Sequence, residues 1–130
     1  MACICREIYE SALRLIGEPS STDVSADYEE RAPYIMAIFC CEAKALDALY
    51  REGHSYEAQT DFNEICLGLD ENFPLSARFY PIAVHYMAAM LVIDEDTELS
   101  DKFFEKYCTS MMSVRTEIPM IREQIVQQYE

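Results

Sequence analysis

The stretch FYPIAVHYMAAMLVI, residues 79–93, decides how the chain folds. Across it only Tyr80, His85 and Tyr86 carry polar side-chain atoms. A run that is apolar on all sides is either a membrane span or a helix wrapped by others. Length and flanks select the second. The run covers about 15 residues where about 20 are needed to cross a bilayer. Arg78 and Pro81 interrupt its start, and Asp94, Glu95 and Asp96 close it with negative charge. The expectation is a central helix from Leu75 to Ile93, surrounded by amphipathic partners.

Those partners are readable on both sides. Downstream, Thr97 is placed to cap a helix from about Glu98 to Glu117. Leu99, Phe103, Tyr107, Met111, Val114 and Ile118 form its stripe, and Phe104, Cys108 and Met112 widen it. Pro119 ends it. Upstream, residues 3–16 place Ile4, Ile8, Ala12, Leu15 and Ile16 at helical spacing, with Gly17 and Pro19 as stops. After a polar loop, Ser25 precedes a long helix from Ala26 to about Glu52, closed by Gly53. Its stripe runs through Tyr28, Ile35, Ile38, Phe39, Leu46, Leu49 and Tyr50. Pro33 predicts either a kink or a start nearer Ala32. Residues 54–73 give a weak signal, a connecting segment in which Phe62, Ile65, Leu67 and Leu69 allow one helical turn. With three Gly and five Pro, the chain lacks the turn signals of an all-β fold. The fold expected is all-α: a single-domain bundle of four to five helices spanning 1–130 around a central apolar helix, with 118–130 as a detachable C-terminal segment.

The composition narrows function. The 130 residues carry 24 acidic and 10 basic side chains, a net charge of −14. Neutralising nucleic-acid phosphates needs a basic face that ten cations scarcely supply, and an anionic membrane surface repels such a chain. The apolar fraction of 51%, with nine Tyr and six Phe, excludes acidic disorder. Arg6, Glu7 and Glu10 interrupt any secretory h-region, so the six cysteines are expected as free thiols in a reducing compartment. No C-x-x-C pair is present for thioredoxin or zinc-ribbon chemistry.

Several constellations invite a chemical reading. Asp94, Asp96, Glu98 and Glu105 occupy positions 1, 3, 5 and 12 of an EF-hand loop. Position 6 is Leu99 instead of Gly, position 8 is Asp101 instead of an apolar residue, and Leu99 and Phe103 belong to the next helix's core face. Acidic residues filling a turn before a helix N-terminus account for the pattern better. His54 and His85 have no thiol at an i+3 or i+4 step, which leaves no Cys–His pair to argue for. Cys40 and Cys41 diverge by about 100° around a helix, one toward the core and the other toward a crevice or a partner. Glu29-Glu30 and Asp70-Glu71 read as solvated pairs in an acid-rich chain. The expectation is no catalytic residue, no metal and no cofactor.

The run PLSARFYPIAVHYMAAMLVIDEDTELSDKFFEKY, residues 74–107, resembles small head–tail connector (adaptor, head-completion) proteins of tailed bacteriophages and prophages. A hydrophobic helix with an internal Pro leads there to an acidic turn and then an aromatic-bearing amphipathic helix. The opening helix, acidic loop and Pro33-bearing helix are similar too. The resemblance implies a non-enzymatic structural subunit, made in the host bacterial cytoplasm and working in the virion neck. It would assemble as a ring on the portal protein, extend the DNA channel and dock neck or tail proteins, without sequence-specific nucleic-acid binding or membrane contact. Ile118, Ile121, Ile125 and Tyr129, beyond the helix break, are the expected partner or oligomer contacts. A fifth helix folding back on its own bundle is the competing reading of that segment. The alternative function is an acidic DNA-mimic or host-protein-binding inhibitor of phage origin, although residues 74–93 contain no carboxylate to present. A helical Cys or His enzyme is the third reading.

Overall fold

The structure is a computed structural model that describes residues 3–17, 23–59 and 64–118, with backbone alone at 23–25. Its four helices are α1 (Cys5–Ile16), α2 (Asp23–Gly53), α3 (Tyr80–Val92) and α4 (Thr97–Thr116). The all-α bundle is as expected, with α3 at its centre. α3 packs against α1, α2 and α4, and Ile82, Ala83, Tyr86, Met87, Ala88, Ala89, Leu91 and Val92 are all buried. Three neighbours explain a helix that shows no polar stripe. Among the described residues no helix is long and apolar enough to cross a membrane.

α3 begins five residues later than predicted. Pro81 sits in its first turn, where a missing N–H costs nothing. Ahead of it the chain makes a 3-10 turn over Ala77–Phe79. Ser76 does not cap this turn, because its hydroxyl and its N–H are both donated to Asp47. At the other end, α3 stops without a glycine. Arg31 of α2 donates to the Leu91 carbonyl at 3.0 Å, and the N–H groups of Glu95 and Asp96 both reach the Val92 carbonyl.

α1 keeps its predicted stop. Gly17 adopts φ +78 and donates back to Arg14 and Leu13, the left-handed closure that glycine permits. Its start comes from far away in sequence. The N–H groups of Cys5 and Arg6 donate to the Glu71 and Leu69 carbonyls at 2.9 and 2.7 Å, and Phe73 N–H donates to Cys3. An isolated antiparallel bridge pairs Ile4 with Asn72. Segment 64–73 is therefore non-helical where one helical turn was allowed for, with a turn at 68–71 closed by Glu71 N–H on the Gly68 carbonyl. Leu67, Leu69 and Phe73 are buried and Ile65 is exposed; Phe62 lies outside the described residues.

α2 runs as one helix from Asp23 through Pro33, so it does not start late near Ala32. The Pro33 carbonyl accepts from Leu67 N–H at 3.0 Å, tying α2 to segment 64–73. The buried face is rotated from the prediction. Tyr28, Ala32, Met36, Phe39, Cys40, Ala43 and Asp47 are buried, whereas Ile38 and Leu49 are exposed. Its end is also not at a left-handed glycine. Ser55 takes φ +59, and its N–H and that of Tyr56 return to the Glu52 and Arg51 carbonyls, the two bonds of a Schellman closure. In α1 the buried set is Cys5, Ile8, Tyr9, Ala12 and Leu13, with Leu15 turned outward. In α4 the N-cap is Asp96 and not Thr97, its carboxylate accepting from Leu99 N–H at 3.1 Å.

Candidate functional site: two surfaces flanking the fourth helix

The residues singled out for chemistry are held in structural roles. Asp96 is spent on capping α4, and Glu95 accepts from the Tyr28 hydroxyl. No group of three or more His, Cys, Asp or Glu among the described residues is placed to hold a metal ion. Glu29 and Asp70 both pair with Arg6, at 3.0 and 3.2 Å, and Glu71 accepts from Gly68 N–H. His54 lies against the Tyr50 and Tyr56 rings, its Nδ1 2.9 Å from the Tyr50 carbonyl. Cys40 is buried and Cys41 half-buried. Burial pushes the Cys40 thiol up, and the Cys5 thiol up to about 12, so neither supplies a thiolate near neutrality.

Asp47 is the polar centre that sequence reasoning passed over. It is fully buried and accepts four hydrogen bonds. Arg51 Nε and Gln59 Nε2 reach Oδ2 at 2.9 and 2.6 Å, while the Ser76 N–H and hydroxyl reach Oδ1. Arg51 goes on to the Glu57 and Pro74 carbonyls. The cluster is closed, with every carboxylate oxygen engaged, which suits a staple and not a reacting group. A signal was present: Asp47 falls in register with Ala43 and Cys40 on the buried face, and Arg51 follows at i+4.

Two surfaces remain, one on each flank of α4. On the α2 side, Phe104, Cys108 and Met112 were expected to widen the core face. They are exposed instead, Met112 by 69%. Beside them Glu42, Ala45, Leu46, Met111, Met112 and Arg115 line a groove of about 360 Å³, which continues to the exposed Leu49. Beneath the groove Tyr107 is pushed up to about 12 by burial and then by nearby Glu42. On the α3 side a concavity of about 470 Å³ is lined by His85, Lys102, Glu105, Lys106, Thr109 and Ser110. His85 Nδ1 is buried with no hydrogen-bond partner. Burial first and the Lys106 charge second lower the imidazole pKa from 6.5; the Pro81 carbonyl one turn back opposes this, without reaching hydrogen-bonding geometry.

Of the predicted partner contacts, Ile118 is 1% exposed, so its side chain offers no surface to a partner. Ile121, Ile125 and Tyr129 lie outside the described residues. Comparison with protein-family models, with curated proteins and with solved structures gives no match.

Proposed function

We propose that this chain is a structural subunit, a head–tail connector (adaptor) of a tailed phage or prophage that assembles as a ring on the portal. The observation that carries the reading is the apolar surface between α2 and α4. Phe104, Met112 and Leu49 are large, apolar and exposed, and Met112 and Leu49 line a groove in an otherwise acidic chain. Such a concentration of exposed apolar side chains marks a protein-contact surface. Ring closure needs a heterologous contact between identical subunits, one face meeting a different face, and a single flank of α4 serves as one half of that contact. The acidity suits the collar of a DNA channel, because a negative lumen lowers affinity for phosphates that must slide past.

The test mixes the purified chain with the portal protein encoded beside it and images the product by electron microscopy. Rings seated on the portal are expected, and Phe104→Glu with Met112→Glu should abolish them while leaving the unfolding transition in place. A chain that stays monomeric at high concentration and ignores the portal refutes the proposal. Capture of a host nuclease or polymerase in a pull-down would instead favour the DNA-mimic reading.

A further inference from the structure

We propose that the concavity between α3 and α4 is a binding site for a small phosphate-type oxyanion, held by Lys102, Lys106 and His85. This does not depend on the connector reading, because it concerns the opposite flank of α4.

Charge distribution carries the inference. The chain has three lysines, and two of them line this one concavity. They stand one helical turn apart, an arrangement in which like charges repel and cost stability. Arg6, Arg31, Arg51 and Arg78 each pair with a carboxylate. Lys102 and Lys106, like Arg14 and Arg115, pair with none among the described residues, although the chain has 24 acidic side chains; only the two lysines share one concavity. A repelling pair left unneutralised in so acidic a chain is a ready-made receptor for an external anion.

His85 supplies the second, independent observation. Its ring forms part of the same wall and stacks on Phe103, with centroids 6.3 Å apart. Its Nδ1 is buried and makes no well-formed hydrogen bond, the Pro81 carbonyl one turn back acting on it only weakly, and a buried polar atom normally has a full partner. An anion in the concavity favours the imidazolium, whose positive charge joins those of the lysines. Thr109 and Ser110 complete the wall with hydroxyls that can donate to anion oxygens. Glu105 also lines the site, and its repulsion restricts the ligand to a compact anion. A nucleic-acid backbone would carry its successive phosphates across a surface of net charge −14, so a free phosphate or a single phosphomonoester is the class that fits.

The experiment is a titration of the full chain followed by amide and imidazole NMR, with chloride holding the ionic strength constant. Inorganic phosphate and phosphoserine form separate arms, which distinguish a free ion from an esterified one; saturable binding of either supports the site. Shifts should localise to His85 and to residues 102–110. K102Q with K106Q should weaken binding by about tenfold, with an unchanged unfolding midpoint showing that the fold survives. R115Q, on the other flank, should leave binding as it was. Acetate binding as tightly as phosphate overturns the proposal, as does loss of all binding in about 150 mM sodium chloride. Tighter binding of a short oligonucleotide than of phosphate also overturns it.

Discussion

Replacing Asp47 with alanine should be among the most damaging single changes available in the described chain. The carboxylate has no solvent exposure, and it is the common acceptor for Arg51, Gln59 and Ser76. Truncating it leaves a largely buried guanidinium without its counter-charge and a main-chain N–H without its acceptor. Breaking a buried pair in this way costs about 3–5 kcal/mol, a large part of the roughly 5–15 kcal/mol that holds a domain together. Asp47→Asn preserves shape but turns one acceptor into a donor, which then faces another donor; about 2–3 kcal/mol is expected. Urea unfolding followed by circular dichroism measures both, and an unchanged m-value shows that the cost belongs to the folded state. A cycle with Arg51→Ala should return a coupling of about 1.5–3 kcal/mol. The damage should also be local in origin, with hydrogen exchange at Ser76 N–H accelerating ahead of the rest of the chain. If Asp47→Ala costs under about 1 kcal/mol, the carboxylate is not the staple described here.

Two left-handed residues give predictions of opposite sign. Gly17→Ala, at φ +78, should destabilise by about 1 kcal/mol although open space surrounds the position, and Ser55→Gly, at φ +59, should stabilise by a similar amount, both read from urea midpoints. Cys66 and Cys108 are exposed whereas Cys5 and Cys40 are buried, so a thiol reagent should label the first pair rapidly and the second only on unfolding. The folded His85 pKa lies below 6.5, so the unfolded chain takes up the proton more readily. The stability from neutral His85 is complete above about pH 6.5 and is lost as pH falls below it; the difference between wild type and His85→Gln, measured in chloride buffers, should show that slope. Self-association through the α2–α4 surface should strengthen between about 50 and 500 mM salt in sedimentation equilibrium, because screening removes repulsion between acidic copies; weakening instead would mean that ion pairs make the contact.

The central helix was legible because nothing about it depends on orientation. A segment apolar all round needs neighbours on every side, and α1, α2 and α4 provide them. The long second helix was legible in extent but not in rotation. Reading by side-chain size favours Ile35, Ile38 and Leu49, yet Ala32, Cys40 and Ala43 are the residues that lie fully buried. Small residues let a helix approach its neighbour closely, and they carry little weight in an apolar stripe judged by bulk. The start of α1 was illegible for a different reason. Its first N–H groups are satisfied by the carbonyls of Leu69 and Glu71, more than sixty residues away, and no local signal announces a partner at that distance. The same contact fixes 69–73 as a turn leading into an isolated bridge at Asn72, which is why a stretch whose apolar spacing allowed a helical turn forms no helix.

The two surfaces flanking α4 were hidden by the same ambiguity of rotation. Phe104, Cys108 and Met112 recur every fourth residue, and a stripe of that period reads as core. The axis of burial in α4 runs instead through Ser100, Phe103, Tyr107 and Val114. That leaves Phe104 and Cys108 exposed, and Met112 lining the same groove as Leu46 beside α2. Lys102 and Lys106 fall on the other flank for the identical geometric reason, one turn apart and beside His85. In the sequence each lysine has acidic residues close by, Asp101 and Glu105, and a solvated helix face is the natural reading. Only the fold shows that neither lysine pairs with those neighbours and that both point the local charge at one concavity. One rotation of α4, set by its packing on α3, thus creates an apolar flank and a cationic flank from residues whose spacing alone suggested core and solvent.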